Sequence, residues 1–198
     1  MIIRLLTVIG LLSAAAPAIA ADTTQTFALR GVALTSCEQF LKAMQERQEN
    51  VLVAGGWMEG YITAVNQFTA DTFDIAPWQS TQVLLGLVAR NCERNPQAGF
   101  FQIVDSMVKF LTPARLRTQS ERVLADTGSG AQMYLYRDTM RDVQTKLIEL
   151  GFLKGGADGQ FGPMTRSALE SFQKSQQIEA TGLPDQNTLF RLLSPQGG

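Results

Sequence analysis

Histidine is missing from all 198 residues of the chain. That absence removes the usual imidazole base, every histidine-containing zinc site, and Ser-His-Asp or Cys-His nucleophilic machinery. A basic excess is missing too, since 17 lysines and arginines stand against 18 aspartates and glutamates for a formal charge of −1. Without net positive charge the chain has little with which to grip phosphates, so nucleic acid is not an expected partner. After the first twenty positions no stretch is long and apolar enough to span a bilayer. What is present is ordinary: 45% hydrophobic and 18% charged residues. This composition excludes disorder as the dominant state and suits one or two domains of common size.

The amino terminus reads as an address. Arg4 precedes an apolar run from Leu5 through Leu12, and Ala18-Ile19-Ala20 matches the A-x-A cleavage pattern of a secretory signal peptide. The run is too short for a spanning anchor. Cleavage after Ala20 leaves 178 residues carrying 16 basic and 18 acidic side chains, a charge of −2. No cysteine follows the cut, so lipid attachment there is not expected. The product is periplasmic or secreted. In an oxidising compartment the two cysteines, Cys37 and Cys92, are expected to pair. Their bridge closes a long loop, worth about 4 kcal/mol by chain entropy.

Between Cys37 and Leu111 apolar residues recur at helical spacing. Ser36 and Gln39 are placed for a capping box ahead of Phe40, Leu41 and Met44. Val51, Met58, Tyr61, Ile62, Val65 and Phe68 mark a second helix; its Gly55, Gly56 and Gly60 lower helicity and are expected to admit a close neighbour. Val83, Leu84, Leu87 and Val88 mark a third helix ending at Cys92. Asn95-Pro96 reads as the start of a fourth, lined by Phe100, Ile103, Val104, Met107, Val108 and Leu111, and Thr112-Pro113 as the restart of a polar fifth segment reaching about Leu124. Glu59, an acid within the second helix's apolar stretch, is expected on the polar face rather than as a catalytic acid.

Cys37-Glu38-Gln39-Phe40-Leu41, with Cys92-Glu93-Arg94-Asn95-Pro96 and Phe100, resembles the HdeA-like family of small helical periplasmic proteins over residues 35–112. Known members include acid-activated chaperones, and the resemblance by itself carries no activity to this chain. Val123–Ser129 mimics an aspartic-protease signature, Asp-Thr-Gly after apolar residues. Such an enzyme needs two carboxylates sharing a proton on a β-rich scaffold. The run of polar residues and glycine around Asp126–Gly130 reads instead as an interdomain linker.

Residues 138–193 read as three helices joined by turns. Met140, Val143, Leu147 and Leu150 mark the first, stopped by Gly151; Gly162-Pro163 opens the second, with Ala168, Leu169 and Phe172 inward; Leu183-Pro184 opens the third, with Leu189 and Leu192 inward. An internal echo binds them into one unit: Gly159 and Thr165 are six apart, as are Gly182 and Thr188. The pattern Val143-Gln144, Leu150-Gly151-Phe152-Leu153, Asp158-Gly159-Gln160-Phe161-Gly162, Thr165, Phe172-Gln173, Gly182 and Thr188-Leu189 closely resembles the three-helix peptidoglycan-binding domain family. Where that family commonly has Asp before the second glycine, this chain has Thr181. Tyr134-Leu135-Tyr136 is expected as an extended lead-in packed on the unit.

The expected architecture is therefore all-α, with two small helical domains. A signal peptide occupies 1–20, a disulfide-stapled bundle 22–125, a linker 126–137, and the three-helix domain 138–194. The resemblance implies peptidoglycan as partner, and a helix amino terminus is a suitable seat for the carboxylates of stem peptides. The candidate surface is Asp158, Gly159, Gln160, Phe161, Gly162, Thr165 and Arg166. No catalytic residue, metal site or cofactor is expected: histidine is missing, and both thiols are committed to the disulfide. The primary reading is an exported, non-catalytic wall-binding protein whose bundle meets an unidentified periplasmic protein. The alternatives are a wall-tethered chaperone and, last, a peptidoglycan hydrolase or its accessory.

Overall fold

A computed structural model of the chain describes Thr24 and residues 26–46, 49–128 and 130–194. The signal-peptide segment 1–20 lies outside the described residues. Residues 31–198 group as one compact unit. Its described residues hold two hydrophobic clusters.

The first cluster is helical. Helix α1 (Cys37–Gln45) opens with the expected capping box: the Ser36 hydroxyl accepts from Gln39 N at 3.2 Å and the Gln39 side chain accepts from Ser36 N at 3.0 Å. Helix α2 (Asn50–Phe68) follows, then α3 (Thr81–Arg94), capped by Ser80, and α4 (Phe100–Leu111). Cys37 and Cys92 are joined in a disulfide with Cα atoms 4.9 Å apart, tying the start of α1 to the end of α3. Phe40, Met58, Val88, Phe100 and Val104 fill the space between the helices. Of the three glycines of α2, Gly55 alone serves close packing, since a Cβ there would sit 3.1 Å from Thr81 Cγ2; Gly56 and Gly60 face open space. Glu59 is exposed and accepts a hydrogen bond from the Thr81 hydroxyl, which joins α2 to the first turn of α3.

Two boundaries differ from the sequence expectation. Asn95-Pro96 does not start α4. The Asn95 N–H closes α3 onto Asn91 and Cys92 carbonyls, and the segment to Gly99 is used to join helix starts: Cys37 N donates to Ala98 O, and Phe100 N to Thr35 O. The fifth segment is not a helix either. Thr112–Ala114 make one 3-10 turn, and Leu116 then exchanges backbone hydrogen bonds with Asp74. Pro113 has no N–H to carry a ladder on.

The segment expected as a linker, 126–137, supplies the turn and second strand of an antiparallel hairpin whose first strand comes from the end of the expected bundle, so the fold is mostly helical with a small sheet. Strand β1 (Arg122–Asp126) pairs with β2 (Gln132–Tyr136) in the register Arg122 to Tyr136 through Asp126 to Gln132. Alternation explains it: Val123, Ala125 and Leu135 point inward and are buried, while Arg122, Leu124 and Asp126 point outward. The expectation of an all-α chain missed these ten residues. Asp126, of the protease-like triplet, spends one carboxylate oxygen on Gly128 N at 2.7 Å, an Asx turn.

Helices α5 (Arg137–Glu149), α6 (Pro163–Ser175) and α7 (Gln186–Leu193) complete the chain, and with the hairpin they enclose the second cluster around Met140, Val143, Leu147, Leu169, Phe172 and Leu189. Pro163 sits at the first position of α6 as expected; Pro184 precedes α7, whose cap is Asp185. Leu150, expected in the core, is 54% exposed. The two clusters meet at a seam. Gln186 accepts from Ser80 N at 2.8 Å and donates to Trp78 O at 2.6 Å, and Phe73 packs edge-on against Tyr136.

Candidate functional site

Two buried glutamines organise the three-helix unit. Gln144 on α5 accepts from Gly159 N at 2.7 Å, while its amide nitrogen lies within hydrogen-bond reach of Asp158 Oδ1 (2.8 Å), the Gln160 carbonyl (3.0 Å) and Thr165 Oγ1 (3.1 Å). Gln173 on α6 does the same for the second glycine turn, at Gly182. It accepts from Gly182 N at 2.8 Å and faces Thr181 Oγ1, the Leu183 carbonyl and Thr188 Oγ1 at 2.8–3.0 Å. The six-residue echo of glycine and threonine is thus a repeated clamp in which a side-chain amide substitutes for a strand partner. Each glutamine is essentially excluded from water, and its amide meets the full hydrogen-bonding demand of a tight turn.

Both glycines are required by geometry. Gly159 has φ +75° and Gly182 φ +70°, and a Cβ at Gly159 would lie 2.8 Å from the Arg137 carbonyl. Where the three-helix family commonly has Asp, Thr181 Oγ1 accepts from Leu183 N and from the Gln173 amide, the counterparts of the two donors that Asp158 Oδ1 takes in the first copy. The hydroxyl itself does the work of the carboxylate, and it donates in turn to Asp185.

The sequence-selected residues divide by this geometry. Asp158, Gly159 and Thr165 belong to the clamp. The Asp158 carboxyl, though exposed, is held below its ordinary range by hydrogen bonds from Gln160 N and the Gln144 amide. Gln160 engages the clamp through its backbone and is an exposed residue; Phe161 and Gly162 are half-buried beside it. Arg166 is not a free cation: Nε bonds Glu170 at 2.9 Å, and the guanidinium donates to the Thr127 carbonyl of the hairpin. Met164, on the first turn of α6, is 70% exposed. Gly162 gives that turn no capping side chain, whereas α7 is capped by Asp185 through Thr188 N at 2.9 Å. Besides the exchange of Asp158 for Thr181, the two copies therefore differ in an open helix start in the first and a closed one in the second.

Sequence reasoning placed Gln144 and Gln173 in the motif without assigning their role. The signal was the recurrence of an apolar residue followed by glutamine, Val143-Gln144 and Phe172-Gln173, each ahead of a glycine turn. Neither glutamine has an exposed position on its helix.

Comparison with known proteins agrees with both halves of this description. A family model described as a peptidoglycan binding domain matches residues 136–192. The HdeA/HdeB family model matches residues 3–102, half of the chain. The chain belongs to the HdeA/HdeB family. It carries in addition the peptidoglycan-binding unit, whose matched span begins at the last residue of β2 and ends in α7. A curated relative, the N-acetylmuramoyl-L-alanine amidase CwlM of Mycobacterium tuberculosis, is 37% identical over 93 residues, which are 46% of this chain and 22% of that protein. This chain therefore spans a small part of that relative's length. No solved structure matches the chain. Among the described residues, no helix is long and apolar enough to cross a membrane.

Proposed function

We propose that this HdeA/HdeB family member is an exported, non-catalytic wall-binding protein. Its three-helix unit docks on peptidoglycan and presents the disulfide-linked bundle to a periplasmic protein partner. The observation that carries the reading is the match of residues 136–192 to the peptidoglycan-binding family, on a scaffold built from paired glutamine clamps. The non-catalytic part is supported by the residue inventory: histidine is missing from the chain and both thiols are in the disulfide.

The docking surface in this reading is the open copy of the turn, Asp158 through Gly162, with the start of α6. Uncapped first-turn amides and the helix dipole favour a stem-peptide carboxylate. Gln160 and the rim of Phe161 add hydrogen bonding and apolar contact, Gly159 and Thr165 hold the turn, and Arg166 braces it through Thr127 and Glu170. The test is co-sedimentation of the mature protein with purified sacculi. Gln160→Glu and Met164→Glu place negative charge at the seat, and each is expected to reduce the pelleted fraction several-fold. Retention equal to the parent protein removes this surface. Release of soluble muropeptides by the parent protein overturns the non-catalytic part.

A second reading is a wall-tethered stress chaperone. Family membership favours it, as do the exposed apolar side chains of α2: Leu52 and Phe68 are each 78% exposed, and Val53 58%. Suppression of client aggregation at low pH by the mature protein supports this reading, and no suppression removes it.

A further inference from the structure

A cleft of about 300 Å³ opens where α3 and α4 of the bundle meet α7. That volume is at the small end of ligand sites, which run from about 300 to 1,000 Å³. Its wall is apolar, made by Leu87, Ile103, Met107, Phe190 and Leu193. Phe110 forms a lip and is 53% exposed, a large apolar area to leave in water.

The charge on this cleft has one sign. Arg90 and Arg94, one turn apart on α3, both line it, and no aspartate or glutamate does. Among the described residues neither arginine forms an ion pair. Arg90 is held by its packing instead, with Cζ 5.4 Å from the centroid of the Phe190 ring. A cation seated on an aromatic ring beside an apolar wall, with a second guanidinium one turn along, is complementary to a ligand that joins one anionic head to an alkyl tail. The guanidinium fork suits a carboxylate in particular.

We propose that this cleft binds a medium-chain alkyl carboxylate, its tail along Leu87, Met107 and Leu193 and its head on Arg90 and Arg94. The site is separate from the peptidoglycan surface at Asp158–Gly162, and the proposal does not depend on that surface being correct.

The test is calorimetric titration of the mature protein with decanoate, decanol and decyltrimethylammonium below their micellar concentrations. The expected result is saturable one-to-one binding of decanoate, with decanol weaker by up to about a hundredfold, the worth of a hydrogen-bonded charge on each of the two arginines. The ammonium amphiphile is expected to be weaker still. Arg90→Gln and Arg94→Gln should each weaken decanoate binding by about tenfold while leaving decanol unchanged. Ser106 is exposed at the cleft, so Ser106→Phe fills the space without disturbing the core and should abolish binding of all three at an unchanged melting temperature. Three results overturn the proposal: no decanoate binding, affinity indifferent to head group and to both arginines, or binding that survives Ser106→Phe. A hexapeptide ending in Leu-Leu that binds where decanoate does not also overturns it, by assigning the cleft to a protein.

Discussion

Alanine at Gly159 tests whether the clamp turn is held by contact or only by backbone conformation. The residue has φ +75°, and an ideal Cβ would stand 2.6 Å from Arg137 Cγ, 2.8 Å from the Arg137 carbonyl oxygen and 3.0 Å from Arg141 Cγ. The side-chain methylenes can swing away; the carbonyl oxygen belongs to the first residue of α5 and cannot. Adopting left-handed backbone costs an L-residue about 1–2 kcal/mol, and forcing a methyl into packed space adds about 1–3 kcal/mol. Gly159→Ala should therefore destabilise by about 2–5 kcal/mol. Gly151 supplies the control, because its φ is +80° and nothing lies within 4 Å of its Cβ position. Gly151→Ala should cost only the conformational part, about 1–2 kcal/mol. Urea unfolding of the mature protein, followed by far-ultraviolet circular dichroism, reads the difference. With a slope near 2 kcal/mol per molar, the two midpoints should separate by about 0.5–1.5 M. Equal midpoints would refute the close approach of α5 to the turn.

Removing the disulfide with Cys37→Ala and Cys92→Ala together should lower stability by about 4 kcal/mol, since the bridge spans 55 positions, and a thermal melt unchanged against the oxidised protein would contradict this. The pH dependence should carry the signature of Asp158. Its carboxyl is lowered by Gln160 N–H and Gln144, so its stabilising contribution is present above the ordinary carboxylate range and is lost as pH falls below about 4. Asp142, raised by burial and by Asp138, works in the opposite sense, because protonation relieves it as pH falls. Asp158→Asn should therefore flatten the loss of stability between neutral pH and pH 3; an unchanged slope in acid unfolding would show that the turn does not depend on the ionised form.

The helices were legible wherever a buried stripe repeats at three and four. Phe40, Met58, Val88 and Val104, and later Met140, Leu147 and Leu169, were placed inward by spacing and are inward. The hairpin was hidden because its alternation is short and polar at the turn: Arg122–Asp126 offers only two inward side chains, and Asp126–Gly130 carries the composition of a loop. Asn95-Pro96 misled for a related reason, since a capping asparagine also closes a preceding helix and only tertiary bonds to Thr35 and Ala98 decide between the two. At the candidate site the turn glycines were readable from sequence. The commitment of Arg166 to Thr127 was not, because its partner is a carbonyl 39 residues away on the strand turn.

The hairpin changes what wall docking would do for the bundle. A flexible linker of twelve residues would let the two halves wander over a root-mean-square distance of roughly 20 Å, so a docked unit would only raise the local concentration of its companion. Instead, Arg122–Asp126 and Gln132–Tyr136 are spent in a ladder whose inward side chains belong to the second cluster, and Arg166 fastens the Thr127 carbonyl to α6. Gln186 bonds both Ser80 and Trp78 across the seam, and Phe73 packs on Tyr136. Each of these contacts is modest alone, but together they hold residues 73–80 of the first cluster against β2 and α7 of the second. A ligand held at the start of α6 would therefore orient the bundle as well as retain it. Orientation is what a protein partner on the bundle would read, and it is a consequence that tethering through a loose linker could not supply.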